Sequence, residues 1–294
     1  MSEFILELYS EEIPPNLQIN ARNDLQEKIK SSLIEENLKF GSLNVFSSPT
    51  RLTMLLKDFS DKIKIPAKEV RGPKVGVMED IVNNFLKAHE SSRKDLLEKQ
   101  NDKGNFYFIK TKTKEVLTSE ILKKIVVNSI ASIKWKKSMR WADTDLLWAR
   151  PLRSILAIYN RKILTFSYGH LKANDWTLIE KDLDVKTKKV KNFKDYQNFL
   201  LSNNIMLDHK DREKKIIKKF ENIYKVKNFK SQYDIKLLKE VTNIVEDPQV
   251  LLIDFNKKYL ELPKEIIIST LQNHQRYFPI FDKKDEITNF FLVV

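Results

Sequence analysis

The opening residues "FILELYSEEIPP" set the tightest limit on the fold. Apolar and β-prone side chains fill Phe4 to Tyr9, which predicts a strand, and Pro14-Pro15 then stop any ladder. Directly after, Leu17, Ala21, Leu25, Ile29 and Leu33 recur at the spacing of one helical face, with Asn16 available as a cap. That helix needs a sheet to cover. "NVFSSPTRLTMLLKDFS" supplies two further β-prone runs, broken at Ser47-Ser48-Pro49 as in a hairpin. Strand, helix, hairpin is the order of an α+β fold with mixed or antiparallel sheets packed against helices.

At 294 residues the chain exceeds one ordinary core, and roughly 100–200 residues per domain predicts at least two. "EVRGPKVG" reads as a loop by its Gly and Pro content, and "MEDIVNNFLKAHE" after it as a helix. Asp102-Lys103-Gly104-Asn105 reads as a turn ahead of "FYFIKTKTKEV", whose alternation fits a half-solvated strand. "TSEILKKIVVNSIASI" carries Ile121, Leu122, Ile125, Val126, Ile130 and Ile133 at helical spacing. Asn160-Arg161 marks a turn between "SILAIY" and "KILTFSY", and the charged stretch 181–194 reads as a linker or exposed hairpin. Helices are predicted over 194–203 and 208–225, with a third from Ser231 ended by Asp247-Pro248. The strand "QVLLIDF", a short helix from Pro263 and a hairpin with a charged turn complete the chain. The expected division is an α+β region at 1–70, a helix and hairpin region at 71–140, and a second α+β domain at 141–294.

Composition excludes several kinds of chemistry. Cys is absent, so thiolate zinc sites and a thiol nucleophile are excluded, and His and carboxylates are the only metal ligands left. His89, His170, His209 and His274 are scattered without an HxxxH or HxH pair, which predicts no metal site. No phosphate-cradling glycine loop and no G-x-S-x-G elbow occurs. Adjacent Glu11-Glu12 could serve metal or acid–base work, but neighbours on an extended chain point to opposite faces, so a helix-entry turn is the competing reading. No apolar run approaches the roughly 20 residues of a membrane helix, and the acidic N-terminus lacks the basic start of a signal peptide, so a cytoplasmic protein with no membrane partner is expected.

A net charge of +13 favours a polyanionic partner through counterion release, although a Lys-, Ile- and Asn-rich composition also reflects an AT-rich genome. In "KWKKSMRW" and "WARPLR", Trp135, Trp141 and Trp148 alternate with Lys136, Lys137, Arg140, Arg150 and Arg153. Such interleaving suits RNA, since guanidinium and indole planes stack on unpaired bases while Lys meets phosphate. The other reading is that the tryptophans anchor a core and the cations face water. "HQRYFP" poses the same choice for His274 and Arg276.

Five segments, "LELYSEEIPP", "SSPTRLTMLL", "VRGPKVG", "SMRWADTDLLWARPLRSI" and "LQNHQRYFPIFDKKDEITNFFLVV", resemble in order and spacing the beta subunit of the bacterial two-subunit glycyl-tRNA synthetase, over essentially the whole chain. The resemblance implies a multi-domain subunit about twice this length that recognises tRNA(Gly). It also implies an alpha2beta2 assembly with a second beta subunit and with an alpha subunit that holds the class II site for glycine and for ATP with Mg2+, leaving no catalytic residue and no cofactor on this chain. An HD-type region and an anticodon-binding domain are expected beyond Val294, which makes the sequence look truncated. The middle region is expected to be similar to the B3/B4 module of the phenylalanyl-tRNA synthetase beta chain, which leaves an editing-type hydrolase and a non-catalytic scaffold as rival readings. Where the family usually carries a GHRF-like motif, this chain reads "WTLIEKD", so whatever that Arg and His do is lost or replaced. Candidates for phosphate contacts or domain-fixing ion pairs are Arg51, Arg71, Lys74, Arg140, Arg150, His274 and Arg276. Glu11, Glu12, Pro14, Pro15, Gly72, Pro73, Trp141, Pro151, Gln275, Tyr277, Phe278 and Pro279 are expected to be structural members of the motifs.

Overall fold

The chain opens with strand β1 (Glu3–Ser10), helix α1 (Pro15–Glu35) and a hairpin of β2 (Ser42–Ser48) and β3 (Arg51–Lys57). These come from a computed structural model that describes residues 2–101, 104–111, 113–141, 146–181 and 184–294. The predicted helical face of α1 is the buried one. Asn16 is not its cap: Pro14 occupies the cap position and Pro15 the first helical turn, where a missing N–H costs nothing.

A smaller unit is inserted next. β4 (Lys62–Ile65) pairs antiparallel with β8 (Lys114–Leu117) and closes its neck. Between them lie β5 (Glu69–Lys74), α2 (Glu79–Ala88), β6 (Leu96–Asn101) and β7 (Gly104–Lys110), the strands forming an antiparallel sheet in the order β5-β7-β6. "EVRGPKVG", expected as a loop, is therefore mostly strand. The ladder shifts register between Arg71 and Lys74, so Gly72-Pro73 sit in a bulge of an edge strand, the one place where a proline leaves no ladder bond unmade. Gly72 is required there, because a Cβ would meet the Phe85 ring at 2.6 Å. Val82, Leu86 and Ile109 give this unit its own core. Of the predicted turn, residues 102 and 103 lie outside the described residues.

The chain then returns through α3 (Thr118–Ser132), β9 (Met139–Arg140), β10 (Leu147–Trp148), β11 (Leu152–Tyr159), β12 (Lys162–Ile163), β13 (Ser167–Tyr168) and β14 (Leu171–Asn174). Asn160 and Arg161 both take positive φ, as a tight two-residue hairpin requires. β11 lies antiparallel to β1, Phe4 opposite Tyr159, in a seven-stranded sheet ordered β13-β14-β11-β1-β3-β2 with β12 paired to β11. The expected boundary at 141 thus cuts through a sheet. β1 is paired on one side by β3 and on the other by β11, so residues near the start and near 155 belong to one body.

Both faces of that sheet are covered. Phe4, Leu6 and Leu8 of β1 face α1 and α3, whereas Ile5 joins Leu55, Leu156 and Ile158 against the opposite layer. This second layer is the hairpin β15 (Trp176–Lys181) and β16 (Asp184–Lys189) with α4 (Phe193–Ser202), through Ile179, Val190, Tyr196 and Leu200. The charged stretch from 181 is accordingly the exposed hairpin of the two alternatives; its residues 182 and 183 lie outside the described ones.

The last part packs α5 (His209–Val226) and α6 (Ile235–Thr242) on β17 (Leu251–Asp254), β18 (Phe278–Phe281) and β19 (Ile287–Val293), in the sheet order β17-β19-β18, with α7 (Lys264–Ser269) between β17 and β18. Asp208 and Asp234 cap α5 and α6 by accepting from Lys210 N and Leu237 N. α6 is shorter than predicted at both ends, since Asp234 starts it and Asn243 ends it well before Pro248. Ile216, Phe220, Leu238, Phe278 and Leu292 make a third core. The whole is an α+β multi-domain fold.

Leu6 is 0% exposed and Ile34 is 59% exposed. Leu6→Ala is expected to cost about 2–5 kcal/mol in urea denaturation and Ile34→Ala no more than about 0.5 kcal/mol.

Candidate functional site

Three of the five segments that carry the family resemblance meet at one end of the large sheet. Ser10 N donates to Thr50 O (2.9 Å), Glu11 N to Pro151 O (3.1 Å) and Ile13 N to Pro49 O (2.7 Å). "EEIPP", "SSPTR" and "ARPL" are thereby stitched together through backbone groups, with Ile13, Leu17 and Ala149 buried beneath Trp135. Glu11 and Glu12 stay exposed in the turn that leads into α1. Among the described residues no group of three or more His, Asp or Glu could hold a metal ion.

At this end the tryptophans turn inward and the cations outward. Trp148 is 0% exposed and meets Trp135 edge to face at 4.8 Å, and Trp141 is half-buried, edge-on to His170. Lys134, Lys136, Lys137, Arg140 and Arg150 are exposed around the β9–β10 ribbon. Of the two readings of this segment, the indoles are core anchors, while the cations form a surface able to meet phosphate. The neighbouring residues 142–145 lie outside the described ones.

Arg51, expected as a phosphate contact or an ion-pair partner, is 1% exposed, and no phosphate can reach it. Its guanidinium lies 3.3 Å from Glu7 Oε2 and 3.3 Å from Glu246 Oε1, over the Tyr9 ring, and donates to Thr50 Oγ1 (2.7 Å) and to the Leu178 carbonyl. Glu7, equally buried, accepts from Tyr196 OH (2.5 Å) and from Thr177 Oγ1 (2.7 Å); Thr53 Oγ1 bonds the same tyrosine at 3.0 Å. Burial pushes the Glu7 carboxyl up against the pull of Arg51, and burial beside that carboxylate raises the Tyr196 phenol well above its usual range. Thr177, in "WTLIEKD", closes this network from β15.

A second buried seam joins α1 to the C-terminal helices. Gln18 Nε2 donates to Ile13 O and Asn243 O (2.8 and 2.7 Å), and Arg22 Nη1 to Ser47 Oγ and Asn243 Oδ1 (2.5 and 2.8 Å). Arg212, 0% exposed, donates to the carbonyls of Thr242, Met206, Leu207 and Ser47. Burial lowers Arg22 and Arg212 to about 10, which leaves both cationic at neutral pH. Beside them the His209 imidazole is pushed down to about 3 by burial and then by Arg22, Arg212 and Lys210. Arg22, His209 and Lys210, together with Asp208 and Asn44, line a polar cavity of about 200 Å³.

The remaining candidates fall in two other places. Arg71 and Lys74 are exposed on β5. His274 and Arg276 are exposed where α7, prolonged by a π-helical turn at Thr270–His274, meets β18. Arg276 takes φ +60, bonds Glu240 Oε1 at 2.8 Å and donates to Asn273 O, which ties that junction to α6. Gln275 N bonds Thr270 O, Tyr277 stacks on Phe291 at 5.0 Å, Phe278 packs on Phe220, and Pro279 is buried in β18. "NHQRYFP" is thus mainly a helix-to-strand fastener. Sequence reasoning missed Glu7, Gln18, Arg22, Tyr196, Arg212, Asn243 and Glu246. A signal existed for three of them: Glu7 interrupts an apolar strand, and Gln18 and Arg22 follow Leu17 and Ala21 on a face that is otherwise apolar.

Residues 4–294 match the family model described as glycyl-tRNA synthetase beta subunit. The chain is 38% identical over 294 residues to the glycine–tRNA ligase beta subunit of Rickettsia prowazekii (strain Madrid E). It is 39% identical over 295 residues to that of Rickettsia peacockii (strain Rustic). Each alignment covers 100% of this chain and 44% of the relative, so the chain spans less than half the length of these curated relatives.

Arg51→Met strands a buried carboxylate and is expected to cost about 3–5 kcal/mol in urea denaturation, whereas adding Glu7→Gln, which keeps an acceptor for Tyr196 and Thr177, recovers most of that loss. For His209, whose folded pKa of about 3 lies below its unfolded value, the unfolded chain binds the extra proton. Its contribution is full above about pH 6.5 and is lost as pH falls toward 3. His209→Gln should therefore flatten the stability–pH slope in that window by up to about 1.4 kcal/mol per pH unit, read by denaturation at each pH.

Proposed function

The chain belongs to the glycyl-tRNA synthetase beta subunit family, and from that premise we propose that it contributes tRNA binding and subunit assembly to the ATP-dependent attachment of glycine to tRNA(Gly). In this reading an alpha subunit forms the adenylate from glycine and ATP with Mg2+. The beta chain grips the RNA and pairs with a second copy of itself in an alpha2beta2 assembly in the cytoplasm. The observation that carries the reading is the match over residues 4–294, three of whose motif segments converge on one junction with exposed cations around it. The charge of +13 supports it, because phosphate neutralisation releases counterions. Among the described residues no helix is long and apolar enough to cross a membrane.

A docking role has its own support. Leu251, Ile253, Tyr259, Leu262 and Ile266 are 59%, 39%, 48%, 47% and 52% exposed around β17 and α7, an apolar surface of the kind subunits cover. The editing-type alternative gains nothing from the buried hydroxyls, since Thr177, Thr53 and Tyr196 are committed to Glu7 and to one another.

Titrating labelled tRNA(Gly) with the chain at several salt concentrations tests the proposal. Affinity is expected to fall steeply with salt, and Arg140→Gln with Arg150→Gln to reduce the log–log slope by about 2, with thermal melting confirming that the variant is folded. Binding that ignores salt, or no binding, overturns the RNA role. Light scattering of the chain mixed with alpha subunit then reads the assembly role, a mass above that of either alone being expected.

A further inference from the structure

The inserted sheet has one covered face and one open face. α2 lies over Val70, Tyr107, Ile109 and Leu96. Strand alternation turns Phe106 and Phe108 of β7 to the other side, where the ladder sets Phe108 opposite Arg71 and Leu97, and Phe106 opposite Lys74 and Lys99. Both rings are only half-buried, and Leu97 beside them is 49% exposed. The Arg71 guanidinium lies 3.7 Å from the Phe106 centroid, and the Lys99 ammonium 5.6 Å from that of Phe108. Lys74 crosses above Gly104, its Cε 3.0 Å from where a Cβ would stand, so the glycine leaves room for a cation at that margin. Lys110 and Glu69 face each other at the far end of the ladder, and Glu69 also pairs with Lys99. Among the described residues, four cations thus surround two rings with a single carboxylate among them.

We propose that this open face binds an unpaired stretch of RNA. The bases stack on Phe108 and on the outer plane of Arg71 where it lies on Phe106, and Lys74, Lys99 and Lys110 meet the phosphates. The chemistry follows from the side chains. Rings two residues apart on one strand are roughly 7 Å apart and present flat apolar planes, which an unstacked base can cover and a paired, stacked one cannot. A guanidinium held flat against a ring offers a second such plane, and ammonium groups at the margin favour a polyanion over an apolar protein surface. The placement rests on the reading of the chain as an RNA-binding subunit, but it names a surface apart from the β9–β10 ribbon and a different form of the ligand.

The test is fluorescence anisotropy of a labelled uridylate octamer, a short RNA duplex and intact tRNA(Gly) with the wild-type chain, Phe106→Leu/Phe108→Leu and Arg71→Gln. The leucines keep an apolar surface, thermal melting confirms that each variant is folded, and the exposed Arg71 provides a variant with little bearing on packing. The octamer is expected to bind the wild-type chain more tightly than the duplex, and to lose about tenfold or more for each stacking plane removed. Octamer affinity unchanged in all variants, absent, or no greater than that for the duplex overturns the inference. If tRNA binds while the octamer does not, the inference falls and the proposed function stands; if neither binds, both fall. Loss of alpha-subunit binding in the leucine variant with octamer affinity unmoved assigns the face to a protein and also overturns it.

Discussion

Glu7 and Arg51 are charged side chains facing each other inside the protein, each 1% exposed, and the arrangement of the large body follows from the need to satisfy them. A lone buried carboxylate or guanidinium costs several kcal/mol, so every element that supplies a partner has to be in place before either can be buried. Those partners come from far apart in the sequence: Tyr9 and Thr50 close by, Thr177 and the Leu178 carbonyl on β15, Tyr196 on α4, and Glu246 after α6. The pair adds little net stability over an apolar substitute of the same shape. The pair also couples burial to register, because a one-residue slip of β1 would turn Glu7 to the opposite face of the sheet, away from Arg51, Thr177 and Tyr196.

The seam of Gln18, Arg22, Ser47, Asn243 and Arg212 extends the same logic outward. Arg212 holds four carbonyls, among them Ser47 O on the β2–β3 hairpin, so the C-terminal helices are fastened to the first sheet by directional bonds rather than by apolar area alone. On the inserted sheet Arg71 and Lys99 lie over Phe106 and Phe108, which limits the freedom these cations would lose on meeting the proposed polyanion.

Local patterns in the sequence read out correctly where a single periodicity decided the matter. β1, the apolar face of α1, the α3 helix and the Asn160-Arg161 turn were all legible, because each depends on neighbours within a few residues. Long-range pairing was not. Nothing near residue 4 signals that Tyr159 will lie beside it, so the boundary placed at 141 fell inside a sheet. β5 was hidden by Gly72-Pro73, which read as loop punctuation and serve instead as a bulge under Phe85. Arg51 read as either a phosphate contact or a domain-fixing ion pair, and the structure makes it the second. Only the carboxylate in the middle of an apolar strand hinted that a buried counter-charge was needed, and the sequence does not say which cation supplies it.

In the proposed reading, recognition and assembly belong to this chain and bond making to another polypeptide. Glycine-dependent exchange of labelled pyrophosphate into ATP, followed with the purified chain alone and then with alpha subunit added, tests that division most directly. No exchange above background is predicted for the chain alone, with exchange appearing once alpha subunit is present. Glycine-dependent exchange by the chain unaided would contradict it.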